Sequence, residues 1–186
     1  MRDVIREQIL EYLTDAHAIE EQSVGLLRRA RRTCERGDLR AIYEEQLVRA
    51  EAHRRLVEQR LQAHGAKASS LKDAAMRLGA LNWGLIFQAR PDTPGKATAF
   101  AFALTHLKIA GYELLNRVAI RAGEQETVAM TEQVLTEERA GAVRLSASFD
   151  DAVEASRDTR EAPSRAEQLL GTLVVGERRS SPIRPV

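Results

Sequence analysis

Apolar side chains recur every three to four residues through most of this chain, which is the period of amphipathic α-helices. Proline is absent from residues 1–90 and 95–162, so long helices can run through these stretches without interruption. Glycines and capping residues separate the apolar stretches from one another. The pattern predicts five helices, at about residues 2–36, 38–64, 69–88, 93–122 and 124–156.

Residues with strong preferences for helix ends support these boundaries. Gly37 ends the first predicted helix, and Asp38 is the predicted N-cap of the second, because a short carboxylate accepts a hydrogen bond from a free N–H there. Gly65 follows the second helix where a left-handed residue is favoured. Thr93 is the predicted N-cap of the fourth helix, with Pro94 at its first position.

These helices form two tight hairpins, joined by a long connection that carries the predicted helix at 69–88. One long crossover between two hairpins is typical of the ferritin-like fold rather than of a simple up-down-up-down bundle. We therefore predict an all-α fold over residues 1–156, a ferritin-like antiparallel four-helix bundle with one extra crossover helix. Residues 157–186, rich in Arg, Ser and Pro, are predicted to be a flexible or loosely docked tail, whose apolar segment 169–175 docks as a short helix or strand.

Composition narrows the classes of function. Aromatic residues make up 4% of the 186 residues and the formal net charge is +1, which argues against a nucleic-acid-binding surface. No apolar run approaches the roughly 18 residues that a membrane span requires. The first ten residues are charged throughout and lack the apolar region of a signal peptide, so a cytoplasmic location is expected. The single cysteine, Cys34, excludes an internal disulfide and a thiolate metal site.

Each bundle helix carries a stripe of residues that helical geometry, at about 100° per residue, places on the inner face. On the first helix the predicted stripe is Ile9, Leu13, Ala16, Glu20, Val24 and Leu27, and on the second it is Leu39, Tyr43, Gln46, Ala50, His53, Val57 and Leu61. On the fourth it is Phe100, Leu104, Leu107, Gly111, Leu114 and Val118, with Lys108 at its edge, and on the fifth it is Thr131, Val134, Leu135, Glu138, Ala142, Leu145 and Phe149.

Two carboxylates stand at the centres of these stripes, Glu20 on the first helix and Glu138 on the last. A buried, unpaired charge is costly, so each must be paired, protonated or bound to a metal ion. The alternative is that both lie near an end of the bundle and reach water.

An internal repeat relates the two hairpins. Leu26-Leu27 aligns with Leu114-Leu115, which places Lys108 where Glu20 stands. Di-iron bundles are built in this way, from one Glu on each of two helices and a Glu-x-x-His motif on each of the other two. Scored against that template, the chain keeps Glu20, His53 and Glu138 and has Lys108, Ala50 and Gly141 at the other three places.

Three of six ligands do not hold a pair of metal ions tightly, and an ammonium group brings a positive charge to the same space. We therefore expect Lys108 to replace metal as the counter-charge of Glu20 and Glu138. The candidate metal ligands are Glu20, His53 and Glu138, and the cofactor is either none or iron.

Several segments resemble the YciE/YciF type of ferritin-like proteins. They are YLTDAHAIEEQ (12–22), AHRRLVEQRLQAHGA (52–66), LKDAAMRLGALNWG (71–84), PDTPGKATAFAFALTHLKIAGYELLNRVA (91–119) and LTEERAGAV (135–143). The resemblance implies a five-helix, ferritin-like homodimer linked to stress responses, with a di-metal site to which Glu20, His53 and Glu138 would belong. Similar sequences read E-H-x-E where this one reads Thr105-His106-Leu107-Lys108, and H-L-E-E-T where this one has residues 46–50, so the resemblance supports the fold more than ferroxidase activity.

Three functions stay open at this point. The first is a ferritin-like module with a degenerate di-metal site that serves as a structural or interaction protein. The second is a metal-dependent oxidase or ferroxidase of the same fold, completed by nearby groups or a dimer mate. The third is binding to a protein partner through the tail, since residues 170–176 resemble the short apolar-glycine peptides that load ferritin-like cargo into protein nanocompartments.

Overall fold

The computed structural model describes residues 2–66 and 93–161. Within these two ranges the chain forms helices and no strand. The helices are α1 (Arg2–Thr33), α2 (Gly37–Ala63), α3 (Pro94–Ala122), α4 (Gln125–Ala147) and α5 (Phe149–Glu161). The predicted crossover helix at 69–88 and most of the predicted tail, from residue 162 onward, lie outside the described residues.

The four long helices form the bundle that the helical pattern predicts. α1 and α2 are one hairpin and α3 and α4 the other, with α1 packed on α3 and α2 on α4. Neighbours are antiparallel, because the apolar cluster that holds Leu27 of α1 includes Ala101 of α3, whereas the cluster that holds Ile9 includes Val118. α2 therefore ends at one end of the bundle and α3 begins at the other, which is the arrangement of a single long crossover. The predicted all-α, ferritin-like fold is confirmed.

Local chemistry explains most of the helix ends. The side-chain oxygen of Thr93 accepts a hydrogen bond from the N–H of Lys96 at 3.5 Å, with Pro94 at the first helical position, as predicted. Gly65 and Gly123 have φ of 78° and 73°, a left-handed conformation that favours glycine. The prediction that Asp38 is the N-cap of α2 is wrong, because α2 begins at Gly37 and Arg36 is at the N-cap position. The Asp38 carboxylate instead accepts the N–H of Leu39 within the first turn, at 2.8 Å.

The predicted last helix, 124–156, is divided in two at Ser148. The N–H and the hydroxyl of Ser148 both donate to the carbonyl oxygen of Leu145, at 3.1 and 2.8 Å, which closes the final turn of α4. α5 then packs against α3, where the N–H of Gly95 donates to the hydroxyl of Ser156 at 2.7 Å. α5 continues to Glu161, five residues beyond the predicted end of the bundle.

The core consists of two apolar clusters with a polar layer between them. One cluster includes Leu27, Leu39, Tyr43 and Leu145, and the other includes Ile9, Leu13, Leu61, Leu115 and Val134. The layer between them contains buried polar side chains from all four bundle helices, namely Glu20, Gln46, His53, Lys108 and Glu138. The fold thus holds a charged layer at mid-height, between two apolar ends.

The inner face of α3 differs from the predicted one. Leu107 and Leu114 are 42% and 51% exposed, and Lys108, which was placed at the edge of the stripe, is almost fully buried. The buried residues of α3 include Ala101, Thr105, Lys108, Tyr112, Leu115 and Ala119. Two adjacent faces of α3 are apolar enough to enter a core, and periodicity alone cannot choose between them. The predicted stripes of α1 and α2 are buried throughout, and that of α4 is buried except at Phe149, which belongs to α5.

None of the helices in the described ranges is both long and apolar enough to cross a membrane.

Candidate functional site

Each of the four bundle helices contributes one charged or ionisable side chain to the centre of the polar layer. Glu20 comes from α1, His53 from α2, Lys108 from α3 and Glu138 from α4, and all four are buried. The structure therefore brings together the residues that the sequence marked out, including Lys108.

The ammonium group of Lys108 bridges the two carboxylates. Its nitrogen lies 2.5 Å from Oε1 of Glu138 and 3.0 Å from Oε2 of Glu20. A cation at this point neutralises charges that would otherwise be unpaired in a low-dielectric interior. The register of the internal repeat placed Lys108 opposite Glu20, and these distances agree with that register.

His53 connects the buried carboxylates to a partly exposed one. Nδ1 of His53 lies 3.0 Å from Oε1 of Glu138 and 3.7 Å from Oε1 of Glu20, and Nε2 lies 2.8 Å from Oε2 of Glu137. The Glu137 side chain is 35% exposed. Sequence reasoning missed Glu137, because it lies beside the inner stripe of α4 and meets His53 only through the packing of α4 on α2.

Tyr112 is a second residue that the sequence did not single out. Its hydroxyl donates to Oε1 of Glu20 at 3.0 Å, and the side chain is buried. Tyr112 lies one turn after Lys108 on α3, so a correctly placed inner stripe would have included it. Its buried hydroxyl needs a partner, and Glu20 supplies one.

The position of the missing histidine in Glu138-x-x-Gly141 is filled by another side chain. A Cβ atom at Gly141 would lie 2.7 Å from Oε1 of Gln46, so the Gln46 amide occupies the space that the absent side chain leaves and would have to shift if one were added. The opposite motif position, Ala50, is buried. Protein side chains therefore occupy the space around two of the lost ligand positions.

Charge pairing and burial compete at each ionisable group. Burial disfavours the charged form of Lys108, but attraction to Glu20 and Glu138 outweighs it and raises the pKa of the ammonium above its usual value. Burial acts to raise the pKa of Glu138, but the imidazole of His53, 3.0 Å away, and the nearby ammonium lower it on balance. For Glu20 burial dominates and the pKa is raised, although Lys108 and His53 act to lower it. Burial, together with Glu20, raises the pKa of Tyr112 well above its usual value.

A pair of metal ions does not fit these residues. Lys108 stands between Glu20 and Glu138, two of the three candidate ligands, and Ala50 and Gly141 offer no side-chain ligand atom. Glu20, His53 and Glu138 each present one ligand atom within 4.8 Å of the others, which describes a set for a single ion at most. Oε2 of Glu138 is buried and has no hydrogen-bond partner, so one carboxylate oxygen of this set is unused.

Comparison with known sequences identifies the family. The family described as "domain of unknown function (DUF892)" matches residues 5–157, which includes every residue of the site. No match is found among curated proteins.

Solved structures share this fold, and one of them contains a ferritin-like domain. A protein from Xanthomonas campestris pv. campestris is 20% identical, with a TM-score of 0.66 over 84% of this chain and 98% of that one. The E. coli stress protein YciF is 16% identical, with a TM-score of 0.59 over 81% of this chain and 97% of that one. A two-domain protein from Anabaena variabilis, with DJ-1/ThiJ/PfpI-like and ferritin-like domains, is 13% identical, with a TM-score of 0.57 over 97% of this chain and 41% of that one. At these identities the likeness shows the fold alone, and it agrees with the resemblance to YciF-type proteins.

Proposed function

Since the chain belongs to the DUF892 family of YciF-type ferritin-like proteins, we propose that it is a ferritin-like module in which an internal ion-pair network replaces the di-metal site. The observation that carries this proposal is the position of the Lys108 ammonium, 2.5 Å from Glu138 and 3.0 Å from Glu20. By analogy with the E. coli stress protein YciF, the module serves a stress-related role without catalysis by bound iron.

The balance of charge supports this reading. The Lys108 ammonium lies against both Glu20 and Glu138 and offsets their charge, and His53, whose pKa is raised by these carboxylates, adds a second positive charge when it is protonated. Two unit charges 4 Å apart interact with about 4 kcal/mol at an effective dielectric constant near 20, and a divalent ion beside the ammonium would feel roughly twice that repulsion. A metal ion therefore enters only if Lys108 is removed, displaced or neutralised.

The runner-up function is a metal-dependent oxidase that uses one ion held by Glu20, His53 and Glu138. The ligand atoms of these three residues lie within 4.8 Å of one another, which favours this reading. It requires Lys108 to leave the space between the carboxylates.

Iron loading of the purified protein separates the two. We expect wild type, loaded with Fe(II) without oxygen and desalted, to keep no iron that Glu138→Gln removes, and the Lys108→Ala and Lys108→Glu variants to keep more iron than wild type or to lose stability. Lys96→Glu, the same change near the start of α3, is the matched control and should resemble wild type. The proposal fails if wild type keeps stoichiometric iron that Glu138→Gln abolishes, because the buried ligands would then hold the ion that the oxidase function requires.

We further propose that the chain forms a homodimer through the outer face of α3. Leu107 and Leu114 are exposed at a spacing of seven residues, with the half-buried Leu104 and Gly111 on the same face, so an apolar stripe runs along the helix. Light scattering after gel filtration should give a dimer for wild type and a monomer for Leu107→Glu/Leu114→Glu. Val153→Glu, at an exposed valine of α5, should stay dimeric. A monomeric wild type would refute the proposal.

A further inference from the structure

A second group of metal-ligating side chains lies outside the buried centre, on the face where α1 packs against α2. His17 and Glu21 are four residues apart on α1 and therefore share one side of that helix. Glu58 faces them from α2. One ring nitrogen of His17 and one carboxylate oxygen from each glutamate lie within 4.8 Å of one another.

His17 is the fixed element of this group. The residue is only 7% exposed, and its Nε2 lies 3.1 Å from Oε1 of Glu58. Its other ring nitrogen, Nδ1, is buried and has no hydrogen-bond partner. The imidazole is thus held with half of its bonding capacity unused, whereas both glutamates reach solvent and are free to adjust.

The group is separate from the buried centre. His17 precedes Glu20 by three residues on α1, and Glu58 follows His53 by five residues on α2, so both are displaced in the same direction along the bundle by about one turn. Glu21 points to Arg54 rather than to the charged layer.

Arg54 now occupies the space that a cation would take. Its guanidinium donates to Oε1 of Glu21 at 2.7 Å, and its Nε lies 3.5 Å from Oε1 of Glu58. Two carboxylates against one guanidinium leave a net negative charge. The Arg54 side chain is 23% exposed, so its guanidinium lies near water although its Nε is buried.

We propose that His17, Glu21 and Glu58 bind one divalent transition-metal cation of the Zn²⁺ type, with Arg54 as its internal competitor. One imidazole and two carboxylates are a ligand set that suits such ions, with water completing the coordination. Cation binding releases the guanidinium to solvent and replaces one positive charge with two. This site does not involve Lys108, so the proposal of a metal site here is tested separately from the proposed function.

The chain offers a matched control in a second histidine–glutamate pair. Nε2 of His64 lies 2.9 Å from Oε2 of Glu124, and Arg60 lies 3.7 Å from the same oxygen. This pair has the histidine, a carboxylate and an arginine, but it is not among the sets of three ligands that converge in the described ranges. It should not bind the metal.

Calorimetric titration of chelator-stripped full-length protein with Zn²⁺ tests the proposal. Wild type should bind about one Zn²⁺ per chain, and His17→Ala and Glu58→Gln should each weaken binding by at least about tenfold. Arg54→Gln should bind Zn²⁺ more tightly than wild type, because the competing guanidinium is gone. If the ion-pair network were only structural, this substitution would not increase the affinity for Zn²⁺. His64→Ala and Glu138→Gln should match wild type. The proposal is overturned if wild type binds no Zn²⁺, if Arg54→Gln binds Zn²⁺ no more tightly than wild type, or if His17→Ala and His64→Ala lose equal affinity. Loss of Zn²⁺ binding in Glu138→Gln would also overturn it, because the ion would then lie in the buried centre. Glu58→Gln, at a half-exposed position, keeps the test valid if His17→Ala fails to fold.

Discussion

Nζ of Lys108 lies 2.5 Å from Oε1 of Glu138, and both side chains are almost completely withdrawn from solvent. The two residues come from α3 and α4, so their ion pair joins the two helices of the second hairpin at mid-height. Neither charge can be screened by water, and each therefore depends on the other. The same ammonium also serves Glu20, which extends the dependence to α1.

Replacement of Lys108 by methionine should destabilise the fold strongly. Methionine keeps the length of the side chain but leaves Glu20 and Glu138 buried without their cation, and breaking a buried ion pair in this way costs roughly 3–5 kcal/mol. Urea unfolding at pH 7 measures the loss. Arg117→Met removes an exposed charge that is paired with Glu113 on the same helix and screened by water, so it should cost far less. Equal effects of the two substitutions would show that Lys108 is not a buried counter-charge.

Neutralising the carboxylates should restore part of the stability lost in Lys108→Met. In the triple variant Lys108→Met/Glu20→Gln/Glu138→Gln no uncompensated charge remains, and neutral replacement of a buried ionic group is often tolerated. The triple variant should therefore unfold at a higher urea concentration than Lys108→Met alone. If the two losses simply add, the charges do not act as one network.

Tyr112→Phe should lower the free energy of unfolding by about 1–3 kcal/mol, because Oε1 of Glu20 loses its hydroxyl donor in a buried site. Thermal or urea unfolding checks this value. Tyr12→Phe is the control, since Tyr12 is only partly buried and packs at the edge of an apolar cluster. A loss at Tyr12 as large as that at Tyr112 would contradict the role of the hydrogen bond.

Protonation of His53 should make stability depend on pH. Burial acts to lower the pKa of His53, but Glu138 and Glu20 outweigh burial and the opposing charge of Lys108 and raise it above its ordinary value of 6.5. The stabilisation is therefore fully present below pH 6.5 and is lost as the pH rises through the higher pKa of the folded state. Glu137, on the other ring nitrogen, also favours the protonated ring. The advantage of wild type over His53→Gln in urea unfolding should shrink from pH 6 to pH 9, and a constant difference would refute the raised pKa.

Gly141→Ala should be coupled to Gln46. A Cβ at Gly141 would come within 2.7 Å of the Gln46 amide, and crowding of this kind opposes the roughly 1 kcal/mol that alanine gains over glycine in a helix. In a Gln46→Ala background the crowding disappears and Gly141→Ala should become stabilising. A double-mutant cycle by urea unfolding should give a coupling of about 0.5–3 kcal/mol.

Gly25→Ala, at an exposed position within α1, is the control for this cycle. A Cβ there meets nothing within 4 Å, so the substitution should stabilise the protein in either background. Absence of coupling between positions 46 and 141 would show that the Gln46 amide is not held against α4.

The helical period by itself determined much of this protein. It located the first three bundle helices and the start of the fourth to within a few residues, although it missed the break at Ser148. It also placed Glu20, His53 and Glu138 on inner faces, because a side chain's direction on a helix follows from its position in the chain. The spacing of the two hairpins and the long connection then indicated the ferritin-like order. These properties are local, or follow from chain length, and so can be predicted from the sequence.

Only the tertiary structure decided what surrounds those residues. Two adjacent faces of α3 are apolar enough to be buried in the core. The face that is buried carries Lys108, which pairs with Glu20 and Glu138, and the other face leaves Leu107 and Leu114 exposed. The contact between His53 and Glu137 likewise depends on how α2 packs on α4. Such choices are made by energies between distant segments, which no pattern within a single helix contains.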